Sequence, residues 1–247
     1  MASYLCRSAR WRARPAPARR VRTRGALIGL TIAVLTPGLA AADRDEVDAA
    51  RVDWAAGRVT AGGTGIADRH APSPAVALGT SRRGAEQAAR QRIAAKLGSL
   101  PLAAGGTLAD KLASASLDAS INAAIKARIA AAVEAAITVA AEPETDGSWH
   151  VTLAVPLEAI RLALGEPRAL PATGDRGPPI VIVEGVTAGP AIGWTVRGAA
   201  AATLWVKDVP AWAKDAPRVR ARAAQAGAID VDAPGAAATL YVLVTTS

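Results

Sequence analysis

His70 and His150 are the only histidines in the chain and stand far apart in it. A histidine pair can bind zinc or carry protons in acid–base catalysis. Neither lies in an H-E-x-x-H pattern, which would put two imidazoles on one helix face. His70 falls in a polar loop beside Asp68 and Arg69, and His150 on the outer face of an expected strand. Both read as solvated or lightly packed. Glu142, Glu144 and Asp146 bring three carboxylates together. Such a group can cleave glycosides or hold a cation through oxygen. These three straddle an expected hairpin tip, where carboxylates are hydrated, and no calcium-loop pattern surrounds them. Gly62-Gly63-Thr64-Gly65 is the densest glycine cluster. Bare amides can cradle a phosphate, but no Gly-Lys-Ser/Thr follows. Asp68 stands where a dinucleotide fingerprint requires glycine, and its charge would repel phosphate. The segment reads as a flexible connector. No G-x-S-x-G elbow presents a serine. These residues assemble no catalytic, metal or cofactor set, so a non-enzymatic protein without a cofactor is expected.

Residues suited to contact are easier to find. Arg82-Arg83 opens a basic stretch continued by Arg90 and Arg92. It reads as a solvated helix surface, or as a site for an acidic partner or an anionic envelope polymer. Trp194, Trp205 and Trp212 are three of the six tryptophans, in a chain without phenylalanine. Tryptophan suits cores with a wet edge, interfaces and carbohydrate platforms. Trp205 lies in an expected strand and reads as core. Trp212, between Pro210 and Lys214, is the leading contact residue, with Trp194 beside it as a second candidate.

The elements that must position these residues follow from periodicity. Val52 to Thr60 reads as a strand containing Trp54, and Ala61 to Pro74 as a loop. From Ser81, Ala85, Ala89, Ile93 and Leu97 recur every four residues, the stripe of a helix that Gly98 and Pro101 end. Thr107 caps a second helix with Asp110 three residues on, along which Leu117, Ile121, Ile125 and Ile129 make a ridge. The period then becomes two: Ala135, Ile137 and Val139, and after a turn at Asp146-Gly147, Trp149, Val151, Leu153 and Val155. The second arm should face the helices. Pro156 opens a short helix with Leu157, Ile160, Leu162 and Leu164. Beyond the Pro/Gly-rich stretch 171–179, strands are expected at Ile180 to Val183, Thr203 to Val206 and Leu240 to Val244, with a helix at Arg218 to Ala226 ended by Gly227. The expected class is α+β: an antiparallel sheet with two long helices packed on one face over 43–170, a linker at 171–179, and a smaller β-rich module over 180–247. About 70 residues make a marginal independent core, so this module should pack on the first or on another protein.

The first 42 residues differ from the rest. They hold eight arginines and no acid, followed by the apolar run Ala26 to Leu35, the breaker Pro37-Gly38 and three alanines ending at Ala42. That order describes a signal peptide cleaved after Ala42. The alternative is an uncleaved anchor over Gly25 to Ala42, which alone would give a membrane association. The run is shorter than the roughly 20 residues of a spanning helix. Of the 29 basic residues of the whole chain, 21 then remain, against 21 acids. The net charge of +8 therefore belongs to the leader, and no nucleic-acid surface is implied. Cys6, the only cysteine, also lies there, so the body is expected to lack disulfides, thiolate chemistry and a lipidation site. A periplasmic or secreted location is expected.

Three stretches carry a family resemblance: Val52-Asp53-Trp54-Ala55-Ala56-Gly57, the alanine-spaced helix Gly84 to Arg90, and the hairpin Ile137 to Val155 with Gly147-Ser148-Trp149-His150-Val151-Thr152-Leu153 as its second arm. Together they resemble the LPP-twenty lipoprotein family and the related flagellar assembly protein T. Pro179 to Gly185 is similar to the start of the module that often follows. The resemblance implies an envelope protein with an assembly or scaffold role, and carries no catalytic residues. The absence of a lipidation cysteine departs from the family pattern. Other envelope proteins are the expected partners, with a homo-oligomer also open; a glycan or small-ligand binding module is the alternative reading.

Overall fold

A computed structural model describes residues 48–114, 118–170, 178–232 and 239–245. The expected leader with its Ala42 cleavage site, and most of the 171–179 linker, lie outside the described residues.

The described residues are α+β and belong to one compact unit. The first sheet has the order β1-β2-β4-β3, antiparallel throughout. Its strands are β1 (Arg51–Asp53), β2 (Arg58–Gly65), β3 (Ile137–Pro143) and β4 (Trp149–Pro156). The single strand expected over Val52 to Thr60 is in fact a hairpin. Asp53 Oδ1 accepts from the Ala56 N–H at 2.9 Å and Gly57 turns the chain at φ +63°, which leaves Trp54 in the turn. An Asp side chain that bonds the backbone ahead of it favours a turn over continued strand.

The glycine cluster is not a flexible connector but the end of β2. A Cβ on Gly63 or Gly65 would collide with the backbone of α1 (Pro74–Leu97) at Ala85 or Ser81. Glycine is needed here because two backbones approach closely. Ser81 donates its hydroxyl to the Gly65 carbonyl and locks the contact. The helix begins at Pro74, earlier than its apolar stripe suggests, because Ser73 accepts the Val76 N–H and Pro74 fits the first turn. Ala85, Ala89, Ile93 and Leu97 form its buried face, as the spacing of four indicates.

The expected second helix is two helices, α2 (Leu108–Ala113) and α3 (Ala119–Glu134). Thr107 and Asp110 form the anticipated capping box. Asp118 accepts the Ser120 N–H at 2.7 Å and starts a new helix, the local side-chain bonding that makes Ser and Asp poor in helix interiors. Ile125 and Val133 are buried, whereas Ile121 is exposed; Leu117 lies outside the described residues. Val151, Leu153 and Val155 enter the core under the helices. Strand β3 is the sheet edge, and a bulge between Thr138 and Ala140 upsets its alternation. Ile137 and Val139 are therefore exposed. Helix α4 (Leu157–Ala163) follows β4 directly.

The described residues of the second module form seven strands, more sheet than expected. They are β5 (Ile180–Val186), β6 (Thr195–Val196), β7 (Ala199–Ala200), β8 (Ala202–Val206), β9 (Arg218–Gln225), β10 (Ala228–Val231) and β11 (Leu240–Thr245), in the order β7-β6-β10-β9-β5-β11-β8. The helix expected at Arg218 to Ala226 is strand β9. Arg218, Arg220 and Arg222 alternate with half-buried Val219 and Ala221, a period of two. Ala226 and Gly227 both have positive φ, so Gly227 closes a tight hairpin rather than a helix end. Strands β7 and β8 lie at opposite ends of the sheet but are separated only by Ala201. The sheet must therefore curl until its ends meet. Val183, Trp194, Trp205, Ile229, Tyr241 and Leu243 share the core inside this curl.

The module packs on the first, as expected of so small a unit. The backbone N–H of Trp205 donates to the Trp54 carbonyl at 3.0 Å, and that of Ala103 to the Ile192 carbonyl at 2.8 Å.

Candidate partner-binding groove

The clearest concave feature follows from how α1 and α3 lie together. Arg90 on α1 is 3.5 Å from Glu134 at the end of α3. Ala94 and Leu97, further along α1, line a hollow with Lys126 and Ile129, earlier in α3. The two helices are therefore antiparallel. Between them runs a groove of about 690 Å³, floored by Ala94, Leu112, Ile129, Ala130 and Val133. A smaller hollow of about 360 Å³ shares Ala94, Leu112, Lys126 and Ile129 with it and extends it toward α2. Small residues on both walls keep the floor open: alanine at 94 and 130 fills little of the space a leucine would take.

The rim is polar and unevenly charged. Glu86 pairs with Arg82 at 3.2 Å and with Arg90 at 3.8 Å, and Glu134 also turns to Arg90. Both rim carboxylates are thereby engaged. Arg83 and Lys126 also line the groove, and neither makes an ion pair or hydrogen bond with another described residue. Two solvated cations thus flank an apolar floor. Arg82, the other half of the basic pair, stacks its guanidinium over Trp149 at 5.3 Å and belongs to the sheet end rather than the groove.

The remaining sequence candidates are scattered. Trp212 is 56% exposed on the short 3-10 turn Ala211–Ala213. Trp194 is only 5% exposed and its ring lies 5.8 Å from that of Trp205. Its place in the core corrects the reading of Trp194 as a contact residue: the curl of the sheet turns its ring inward. His70 is an exposed loop residue whose N–H bonds Asp68. His150 is half-buried, its Nδ1 3.4 Å from Asp48 Oδ1. Asp146 accepts from both the backbone and the hydroxyl of Ser148 and shapes the hairpin turn. Among the described residues no group of three His, Cys, Asp or Glu side chains is placed to hold a metal, and no helix is long and apolar enough to cross a membrane.

Two buried charged clusters escaped sequence reading. Asp48 is 3% exposed and accepts from Arg92 at 2.8 Å and from Thr64 at 3.3 Å. Arg161, 4% exposed, bonds both oxygens of Glu158 at 2.7 Å, Glu166 at 3.1 Å and the Pro167 carbonyl at 2.7 Å. The Glu158 hydrogen bonds hold its guanidinium charged, above its ordinary pKa, against the opposing effect of burial. Arg161 was one more arginine on a short helix by sequence; the nearby Glu158 and Glu166 were its only signal.

No protein-family model matches the chain, and no curated protein matches it.

Proposed function

We propose that this chain is an exported envelope protein that works by protein–protein contact, in an assembly or scaffold role, without catalysis of its own. The single observation that carries the reading is the groove between α1 and α3: an apolar floor left open beside two cations, Arg83 and Lys126, that pair with no other described residue. A concave surface with an apolar floor and a few charged groups at its rim has the form of a binding site. The leader pattern supports export to the periplasm or beyond, and the likeness to LPP-twenty and flagellar assembly proteins supports an assembly role. His150 is taken up by Asp48, and the hairpin acid Asp146 by Ser148, which favours structural duties for these groups.

The test is made in intact cells of the source organism. A photoreactive benzoylphenylalanine at Ala130, in the groove, should crosslink to a defined envelope protein. The same group at exposed Ala223 on β9 should not. The protein recovered from the envelope fraction should begin at Asp43. An intact N-terminus with the body in the cytosol would overturn the proposal.

A second reading has one observation in its favour. Exposed Trp212 offers an indole face to a cell-wall glycan or small ligand. Polysaccharide pull-down that survives Trp212→Ala would remove that option.

A further inference from the structure

We infer that the groove takes an amphipathic helix from a partner protein, with an acidic residue near each end of its apolar stripe. This rests on the contact role proposed above and names the chemistry of the partner. Three observations on the groove carry it. The first is length. On α1 the lining runs from Arg83 to Ala94, which at 1.5 Å per residue is about 16 Å, roughly three turns of a facing helix. The second is shape. The walls are two antiparallel helices with alanine at 94 and 130, so a third helix can approach closely and lay its side chains into the trough. An acyl chain in a groove so open would keep one side in water.

The third is charge. Glu86 and Glu134 are both drawn onto Arg90 near the middle of the α1 wall. The cations left over are at opposite ends: Arg83 early on α1, and Lys126 beside Ala94 and Ile129. A partner helix with acids about three turns apart meets one cation at each end and places only apolar residues over the floor. A basic helix would meet like charge at both ends, and complementarity of this kind selects partners and fixes register.

The probe is a fluorescein-labelled stapled peptide of about fourteen residues, long enough for three turns and helical only because of the staple. Leucines occupy i, i+4 and i+7, with a glutamate at either end; a matched peptide carries lysine at those ends. Fluorescence anisotropy with the full chain should show saturable binding of the glutamate peptide and none of the lysine peptide. The double variant Arg83→Glu with Lys126→Glu should weaken the glutamate peptide about tenfold, the scale of two reversed surface pairs, and should now bind the lysine peptide. Both substitutions are at exposed positions, and an unchanged circular dichroism spectrum checks the fold. Equal binding of the two peptides, binding of neither, or binding of a dansylated fatty acid in their place would overturn the inference. The Ala130 crosslink separates the two levels. If it captures an envelope protein while both peptides fail, the contact role stands and the acidic helix falls; if it captures nothing, the contact role falls with it.

Discussion

Arg92, on α1, donates from one nitrogen to both Asp48 and the Gly62 carbonyl, each at 2.8 Å. The last pair of β1 with β2 is Arg51 with Thr60, so Gly62 lies just past the end of its neighbour. The guanidinium occupies that open stretch of edge and ties the start of the described chain to helix and sheet together.

Arg92→Met should therefore destabilise the fold by about 1–2 kcal/mol, less than the cost of breaking a fully buried pair because the guanidinium is partly in water. Urea denaturation measures it. The double variant with Asp48→Asn should lose less than the two single losses added, since each already breaks the same contact. Strict additivity would show that the pair is uncoupled.

Gly63→Ala should cost about 3 kcal/mol, because its Cβ meets the α1 backbone at Ala85 and Ala89 and neither element can yield alone. Gly189→Ala, with nothing nearby, should stay within about 0.5 kcal/mol of the parent. Equal midpoints in urea would refute the close approach of β2 and α1.

Arg161→Met should cost about 2–4 kcal/mol by leaving Glu158 and Glu166 without their shared cation. Thermal melting at several salt concentrations is the check. A small cost that disappears in high salt would mean the cluster is effectively at the surface.

Acid should loosen α2 and α3 at their starts. Hydrogen bonds from Thr107 hold Asp110, and those from Ser120 hold Asp118, below the ordinary carboxylate pKa. A carboxyl lowered on folding stabilises above its unfolded pKa, and that help is lost as pH falls through the lowered folded value. Asp110→Asn with Asp118→Asn should flatten the acid side of a stability–pH curve measured from pH 6 down to about pH 2, the window set by the usual carboxylate range. An unchanged acid limb would assign the loss to other carboxyls.

Iodide should quench chiefly the emission of Trp212, whose ring is in water while Trp194 and Trp205 are enclosed. Trp212→Phe should remove most of the quenchable signal and leave the melting temperature within about 2 °C, as for a surface change. Undiminished quenching would place another indole at the surface.

What was legible in the sequence was whatever local pattern decides. The stripe Ala85, Ala89, Ile93, Leu97, the Thr107–Asp110 box and the turn at Gly147 all stand where spacing put them. The failures came where tertiary structure sets the reading. Gly62 to Gly65 looks like a loop because glycine usually disfavours strands; only the helix lying on it makes bare backbone a requirement. Arg218 to Gln225 has enough alanine and arginine to suit a helix, and pairing with β5 and β10 overrides that preference. Within the groove, sequence singled out Arg83 but not Lys126, Ala130 or Val133, because nothing local shows that two helices so far apart in the chain are laid side by side.

The strand order has a kinetic corollary. β11 follows the other described strands in sequence, yet it sits between β5 and β8 and pairs with both. Until those six residues leave the ribosome, two parallel edges wait without a mate, and such distant pairings form slowly. The half-made sheet would be an adhesive intermediate, so its cell needs either a chaperone for the waiting chain or quick delivery of the strand that fills the gap.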